Sequence, residues 1–189
     1  MPKLLHQNYI TLFEYYKTLG DKSMAQLSEE EAFFWSLGPE SNSIAIIVQH
    51  LYGNMMSRWT DFLNSDGEKE WRNRDHEFEL YVKDKAEIME LWEKGWTCLM
   101  AAIESVGEAD RDTLVYIRNK GHSIDEAVQR QLAHYAYHIG QITYIARMNR
   151  STQWLSLSIP KGQSQKYNQE AFGKGKRVEH FTKQLKDQI

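Results

Sequence analysis

Two histidines four residues apart, His134 and His138, are the side chains whose spacing most directly indicates chemistry. On a helix, residues i and i+4 lie on the same face one turn apart, so these two imidazoles could chelate one metal ion. The residue that follows His134 is Tyr135, whereas the zinc-protease motif requires a glutamate there as general base. The pair is therefore either the chance spacing of two helical histidines or part of a metal site, and in the second case a site without that protease chemistry.

A third imidazole would have to come from another helix, and His50 is the strongest candidate. It lies within a strongly apolar run, residues 44–55. A buried imidazole needs a hydrogen-bond partner or a ligand. From the residues alone, His50 is either a metal ligand or a core histidine that neighbouring side chains satisfy. The other four histidines fall in predicted loops or near the chain ends: His6, His76, His122 and His180.

Two further groups could take part in a reaction. Cys98 lies in an apolar helical segment, which favours a small buried side chain over a nucleophile, so a reactive sulfur would have to arrive with the substrate. Arg72 and Arg74 could clamp an anionic group if their loop covers the site. The alternative is that these arginines pair locally with Asp75 and Glu77.

Four segments with apolar residues three and four apart predict the long helices that would position these side chains. They cover about residues 4–27, 44–63, 84–106 and 124–148. Capping boxes at helix starts are indicated by three pairs: Ser28 with Glu31, Asp84 with Glu87, and Ser123 with Glu126. Residues 64–82 lack a clean period and predict a long ordered loop, and residues 113–121 predict a short strand or hairpin.

We therefore predict an all-α fold, an antiparallel four-helix bundle with long loops, because only other helices can cover the four apolar stripes. Residues 1–189 are predicted to form a single domain. Its bundle is residues 1–148, and residues 149–189 form a C-terminal loop and tail that pack on it. The tail is basic, with eight Lys/Arg against three Asp/Glu, and a helical end is predicted around residues 178–185.

Composition and charge exclude several classes of function. The net charge of −3 does not favour a nucleic acid or a membrane surface as partner. The apolar runs are shorter than the ~20 residues that a membrane span needs. The single cysteine cannot form an internal disulfide, and the N-terminus lacks the pattern of an export signal. We therefore expect a soluble, cytoplasmic protein.

Two segments resemble the signatures of a known superfamily. Residues 47–55, IVQHLYGNM, and residues 134–142, HYAYHIGQI, are similar to the histidine-bearing segments of the DinB/YfiT-like superfamily of four-helix-bundle metalloproteins. Three more segments, residues 57–63, 70–75 and 157–162, resemble an uncharacterised branch of that superfamily. The likeness extends over roughly residues 1–170.

The resemblance implies a divalent metal, Zn²⁺ or Ni²⁺, bound by His50, His134 and His138. Three imidazoles would leave coordination positions free for water or substrate, as in catalytic rather than structural zinc sites. Asn54 and Gln141 each lie about one turn after a histidine, where they could orient a ring or a bound water. Their alternative role is an ordinary hydrogen bond between helices.

Three classes of function remain open at this stage. The first is a metal-dependent enzyme acting on a small molecule, either a transferase that uses a low-molecular-weight thiol or a hydrolase. The resemblance favours the thiol-dependent version. The second is a metal-binding or stress-associated protein without turnover, working as a homodimer. The third is a helical interaction module without metal. The resemblance and the many aromatic residues favour a homodimer.

Overall fold

The computed structural model describes residues 3–183, and these are mainly helical, as predicted. Helices and strands follow in the order α1 (Lys3–Ala25), α2 (Glu31–Phe34), α3 (Ile44–Trp59), α4 (Lys85–Ser105), β1 (Leu114–Ile117), β2 (Lys120–Ser123), α5 (Ile124–Arg150) and α6 (Ser164–Gly173). Short 3-10 helices cover Asp75–Phe78, Glu108–Asp110 and Ser151–Gln153. Within the described part of the chain, the helices lack the length and apolar character that crossing a membrane would require.

Side-chain caps set the starts of three long helices. Asp84 accepts a hydrogen bond from the Glu87 amide at the start of α4, and Ser123 and Glu126 form a reciprocal capping box at the start of α5. Both caps were predicted, and Ser43 caps α3 in the same way. The box predicted at Ser28 is wrong, because α2 begins only at Glu31 and has no side-chain cap.

Two predicted helix boundaries also differ from the structure. Helix α3 ends at Trp59 and not at residue 63, because the backbone becomes extended at Thr60 and then has a positive φ at Asp61. In the tail, the helix lies at Ser164–Gly173. Residues 178–180, where a helical end was predicted, are not helical, and residues 184–185 of that prediction lie outside the described residues.

The core lies between the four long helices, with α3 packed mainly on α4 and α1 mainly on α5. Buried aromatic rings run through it: Trp92 meets Trp96 at 5.5 Å between centroids, and Trp96 meets Tyr135 at 5.9 Å. Phe13 then contacts Tyr135 at 6.1 Å and Trp59 at 6.2 Å. Aromatic side chains therefore fill the wide spaces between helices.

The β1–β2 hairpin fastens the long loop between α3 and α4 to the start of α5. Its two turn residues, Arg118 and Asn119, both have positive φ, the geometry of a type I′ hairpin turn. The backbone amides of both donate to the carboxylate of Asp66 at 2.8 Å, and the Gly67 amide donates to the Tyr116 carbonyl at 2.7 Å. The hairpin therefore holds the loop at residues 66 and 67.

A buried hydroxyl ties α5 to α3 between the histidine-bearing turns. Tyr135, fully buried, donates its hydroxyl hydrogen to Oδ1 of Asn54 at 3.0 Å. The hydroxyl oxygen of Tyr135 accepts the indole hydrogen of Trp59 at 2.9 Å. Burial raises the pKa of the Tyr135 hydroxyl above its usual value, so it stays a neutral donor.

Replacing this hydroxyl tests the packing of α5 on α3. Tyr135→Phe leaves Trp59 without its acceptor and Asn54 without its donor in a buried place, so we expect the free energy of unfolding to fall by roughly 1–3 kcal/mol. Urea unfolding followed by circular dichroism measures this change. Tyr144→Phe, at an exposed position of the same helix, is the matched control. An equal effect of the two substitutions would contradict the proposed network.

Candidate metal centre

The structure brings the three predicted histidines together at the contact of α3 with α5. Nε2 of His134 lies 3.3 Å from Nε2 of His50 and 3.1 Å from Nε2 of His138. The candidate ligand nitrogens of all three residues lie within 4.8 Å of one another. His50 and His138 are buried, and His134 is half-buried. These three residues could therefore hold a single ion.

Two of the three nitrogen–nitrogen separations match the geometry of a tetrahedral ion. Zinc–imidazole bonds of 2.0–2.1 Å at tetrahedral angles place two ligand nitrogens ~3.3 Å apart. The Nε2–Nε2 distances from His134 to His138 and to His50, 3.1 and 3.3 Å, agree with this value. Three imidazoles also leave at least one coordination position of such an ion for another ligand. The donor set suits zinc, nickel, copper or iron, because imidazole does not select sharply between them.

Glu77 fixes the orientation of the His50 ring. Its Oε2 lies 2.9 Å from Nδ1 of His50. Burial raises the pKa of this carboxyl, but hydrogen bonds from His50 and Arg72 outweigh that effect and leave the pKa below its usual value. An ionised carboxylate only accepts hydrogen bonds, so the hydrogen of His50 lies on Nδ1 and Nε2 faces the other histidines.

Gln141 orients His138 in the same way. Its side-chain oxygen lies 2.8 Å from Nδ1 of His138, so this ring also carries its hydrogen on Nδ1. The predicted contact of Gln141 with a histidine is therefore present. Asn54, the other residue predicted to orient a ring, lines the same cavity but accepts its hydrogen bond from Tyr135.

Burial keeps two of the rings neutral. It lowers the pKa of His134 to about 3, with repulsion from His138 and His50 adding to the effect. It lowers the pKa of His138 to about 4, although the hydrogen bond to Gln141 acts in the opposite direction. At neutral pH these imidazoles hold free lone pairs, which is the form that binds a metal.

A buried glutamine holds the loop that presents Glu77. Gln49 donates to the backbone carbonyls of Glu77 at 3.3 Å and Glu79 at 2.9 Å. Its oxygen accepts from the amides of Tyr81 and Val82, each at 3.1 Å. One α3 side chain therefore fixes the backbone on both sides of residue 78, and the next residue of α3 is His50.

Close packing of the same loop requires a glycine on α3. A Cβ atom at Gly53 would overlap the Glu77 carboxylate. The ring of Phe78 stacks on His50 with 4.8 Å between centroids and shields the imidazole on that side. The loop therefore lies directly against the candidate ligand.

An arginine–glutamate network surrounds Glu77. Arg72 donates from Nε to Oε1 of Glu77 at 2.7 Å and from Nη2 to Oε2 at 3.0 Å. Arg72 also contacts Glu68 at 3.3 Å, and Arg58 contacts Glu68 at 3.2 Å and the carbonyl of Gly67. Of the two alternatives for Arg72, local pairing with Glu77 is therefore the one observed.

A cavity of about 490 Å³ opens on the three histidines. Its lining includes five arginines as well as the candidate ligands: Asn42, His50, Asn54, Arg58, Arg72, Arg74, Phe78, Arg118, Arg130, Gln131, His134, Tyr137, His138 and Gln141. Cys98 is not in this lining, and burial raises the pKa of its thiol, which disfavours the reactive thiolate.

The sequence patterns miss several contributors to this site. They indicate Glu77 only as a partner of the arginines, and they do not indicate Phe78, Arg118 or Arg130, among others. Arg130 could have been found from spacing, because it lies four residues before His134 on the same helix face. Glu77, Phe78 and Arg118 come from a loop and a hairpin turn, whose position relative to α3 leaves no periodic signal.

Comparison with known proteins assigns the chain to a family. Residues 3–163 match the family model described as protein of unknown function (DUF1572), and the chain belongs to this family. Searches of curated proteins and of solved structures find no match.

The ion pairs of Glu68 predict a pH-dependent stability. Burial raises the pKa of this carboxyl, but attraction to Arg72 and Arg58 outweighs it and lowers the pKa below the usual value. Because the pKa of Glu68 is lower in the folded than in the unfolded protein, ionisation of Glu68 favours the folded state. This stabilisation is fully present above pH ~4.3, the ordinary glutamate pKa, and is lost as the pH falls through the lower pKa of the folded protein. We expect Glu68→Gln to lower the free energy of unfolding by roughly 1.5–3 kcal/mol at pH 7.

Thermal unfolding of wild type and Glu68→Gln at a series of pH values measures this contribution. The two stabilities should converge below the ordinary glutamate pKa of ~4.3. Glu70→Gln, at an exposed position of the same loop, should change stability by less than about 0.5 kcal/mol. A Glu68→Gln effect that does not vary with pH would rule out the charged pairing.

Proposed function

Starting from membership of this family, we propose that the chain binds one divalent metal ion, Zn²⁺ or Ni²⁺, through His50, His134 and His138. The observation that carries the proposal is the convergence of three Nε2 atoms, two of them on rings whose Nδ1 is held by Glu77 or Gln141. Outer partners of this kind are typical of metal-binding histidines.

We also infer that the fold is the antiparallel four-helix bundle of the DinB/YfiT-like superfamily. Helices α1, α3, α4 and α5 would be its four members. The likeness of residues 47–55 and 134–142 to that superfamily supports this inference, as does the packing of α3 on α4 and α1 on α5. Residues 1–189 would then form one domain.

The site best supports catalysis on a small molecule, either hydrolysis or transfer to a low-molecular-weight thiol. When bound, the ion would act as a Lewis acid and make a nucleophile available near neutral pH. The chain contributes neutral His134 and His138, a His50 ring oriented by Glu77, and a cavity that admits a second reactant. The cavity is the feature that favours an enzyme over a metal-binding protein without turnover. The homodimer and the cytoplasmic location stay predictions.

Replacement of each candidate ligand tests the metal site. We expect untagged wild-type protein to retain about one equivalent of divalent metal after dialysis, and His50→Ala, His134→Ala and His138→Ala to retain much less, because each loses one of three donors. Elemental analysis measures the stoichiometry. Added metal should raise the thermal midpoint of the wild type and not of the variants.

His76→Ala is the matched control, because His76 is exposed and its ring contacts Glu79 at 3.1 Å and Tyr81, not the three candidate ligands. It should retain metal as the wild type does. Full metal content in all three ligand variants would reject the site.

The role of Glu77 is tested separately. Glu77→Gln keeps the shape of the side chain but replaces the anionic acceptor for His50, so we expect metal affinity to fall ~10–100-fold, the usual cost of removing such a partner. Competition with a chromophoric chelator measures the affinity. Glu79→Gln removes an exposed carboxylate two residues away and should leave the affinity unchanged. Equal affinities of the two variants would contradict the orienting role.

A further inference from the structure

The cavity in front of the histidines is lined by five arginines and, among the described residues, by no aspartate or glutamate. We propose that it binds the substrate through an anionic group, a carboxylate or a phosphate, held by Arg74, Arg118 and Arg130. This inference rests on the proposed function in one respect, because it takes the cavity as the place where the substrate reacts.

Two of the five arginines are already engaged inside the protein. Arg72 and Arg58 have almost fully buried side chains and contact the carboxylates of Glu77 and Glu68. Removing either guanidinium would leave a carboxylate buried without its full set of partners. These two arginines therefore hold the cavity wall in place and contribute positive potential from behind it.

The other three arginines are exposed at the cavity and poorly neutralised. Arg74 is 51% exposed, and its nearest carboxylate oxygen, on the almost fully exposed Asp75, is 3.9 Å away. Arg118 contacts Glu68 at 3.1 Å but shares that carboxylate with Arg58 and Arg72. For Arg130, no ion pair is found among residues 3–183.

Each of the three exposed arginines is directed to the cavity by a different element. The guanidinium of Arg74 lies 5.1 Å from the centre of the Phe78 ring, which in turn stacks on His50. Arg118 occupies the hairpin turn that Asp66 fixes. Arg130 lies on α5 one turn before His134. The three side chains therefore approach the histidines from a loop, a turn and a helix.

The excess of positive charge around the cavity favours an anionic ligand. Five guanidinium groups line the cavity, and the two carboxylates that contact them, on half-buried Glu68 and buried Glu77, neutralise only part of their charge. Guanidinium groups bind carboxylate and phosphate through paired hydrogen bonds, and a concave wall of one sign concentrates the field. A volume of about 490 Å³ is the size of small-molecule sites. A small anionic molecule therefore suits this cavity.

The test uses full-length protein and three probes: malonate, inorganic phosphate and the neutral malonamide. Isothermal titration calorimetry at low ionic strength measures binding to metal-loaded protein and to protein treated with a chelator. The variant is Arg74→Ala/Arg130→Ala, because both side chains are exposed at the cavity. Arg147→Ala is the matched control, since Arg147 is an exposed arginine on the same helix about 25 Å further along it.

We expect the wild type to bind malonate or phosphate and not malonamide, with and without metal. Loss of two charged partners should weaken binding by about tenfold or more in Arg74→Ala/Arg130→Ala, whereas Arg147→Ala should bind as the wild type does. Circular dichroism should show the double variant folded. Binding of neither anion, equal affinity for malonamide, or unchanged affinity in the double variant would each overturn the proposal.

The chelator-treated protein separates this proposal from the metal proposal. Arginine-dependent anion binding by the chelator-treated protein would uphold the anion site whatever the outcome of the metal experiment. If the same protein then failed to take up added metal, the metal centre alone would be rejected. Anion binding that requires metal and is unchanged in the double variant would reject the anion site and uphold the metal centre.

Discussion

The site depends on one buried carboxylate, that of Glu77, which contacts His50 with one oxygen and Arg72 with both. A carboxylate that accepts from a guanidinium stays ionised, and an ionised carboxylate holds the imidazole with Nδ1 as donor. That single orientation turns Nε2 of His50 toward His134. Without it, the His50 ring would have no fixed tautomer, and its Nε2 would not be held toward the other two rings.

The Glu77 carboxylate is itself positioned by residues that do not contact the three histidines' ligand nitrogens. Gln49 holds the loop backbone around Glu77, and Gly53 leaves room for its side chain. The hairpin fixes Asp66 and the residues that follow it. Burying polar groups in this way is favourable only when each finds its partner, so the loop, the hairpin and α3 must assemble together. The positively charged cavity is a consequence of the same assembly.

The sequence predicted the parts of this arrangement that follow a helical period. His134 and His138 lie four apart, and their helix starts at a capping box at Ser123, so their common face could be read directly. The contact between Glu77 and His50 could not, because it joins residues 27 positions apart through a loop without periodicity. The spacing of apolar residues also does not predict the backbone conformation of a single residue, as the early end of α3 beside Asp61 shows.

X-ray absorption spectroscopy at the metal edge of zinc- or nickel-loaded protein would show whether the three histidines hold the ion, because it reports the type, number and distance of the ligands. We expect three imidazole nitrogens at ~2.0–2.1 Å from the ion, completed by oxygen from solvent. A first shell that contains sulfur, consists of oxygen alone, or includes fewer than two imidazoles would contradict this expectation.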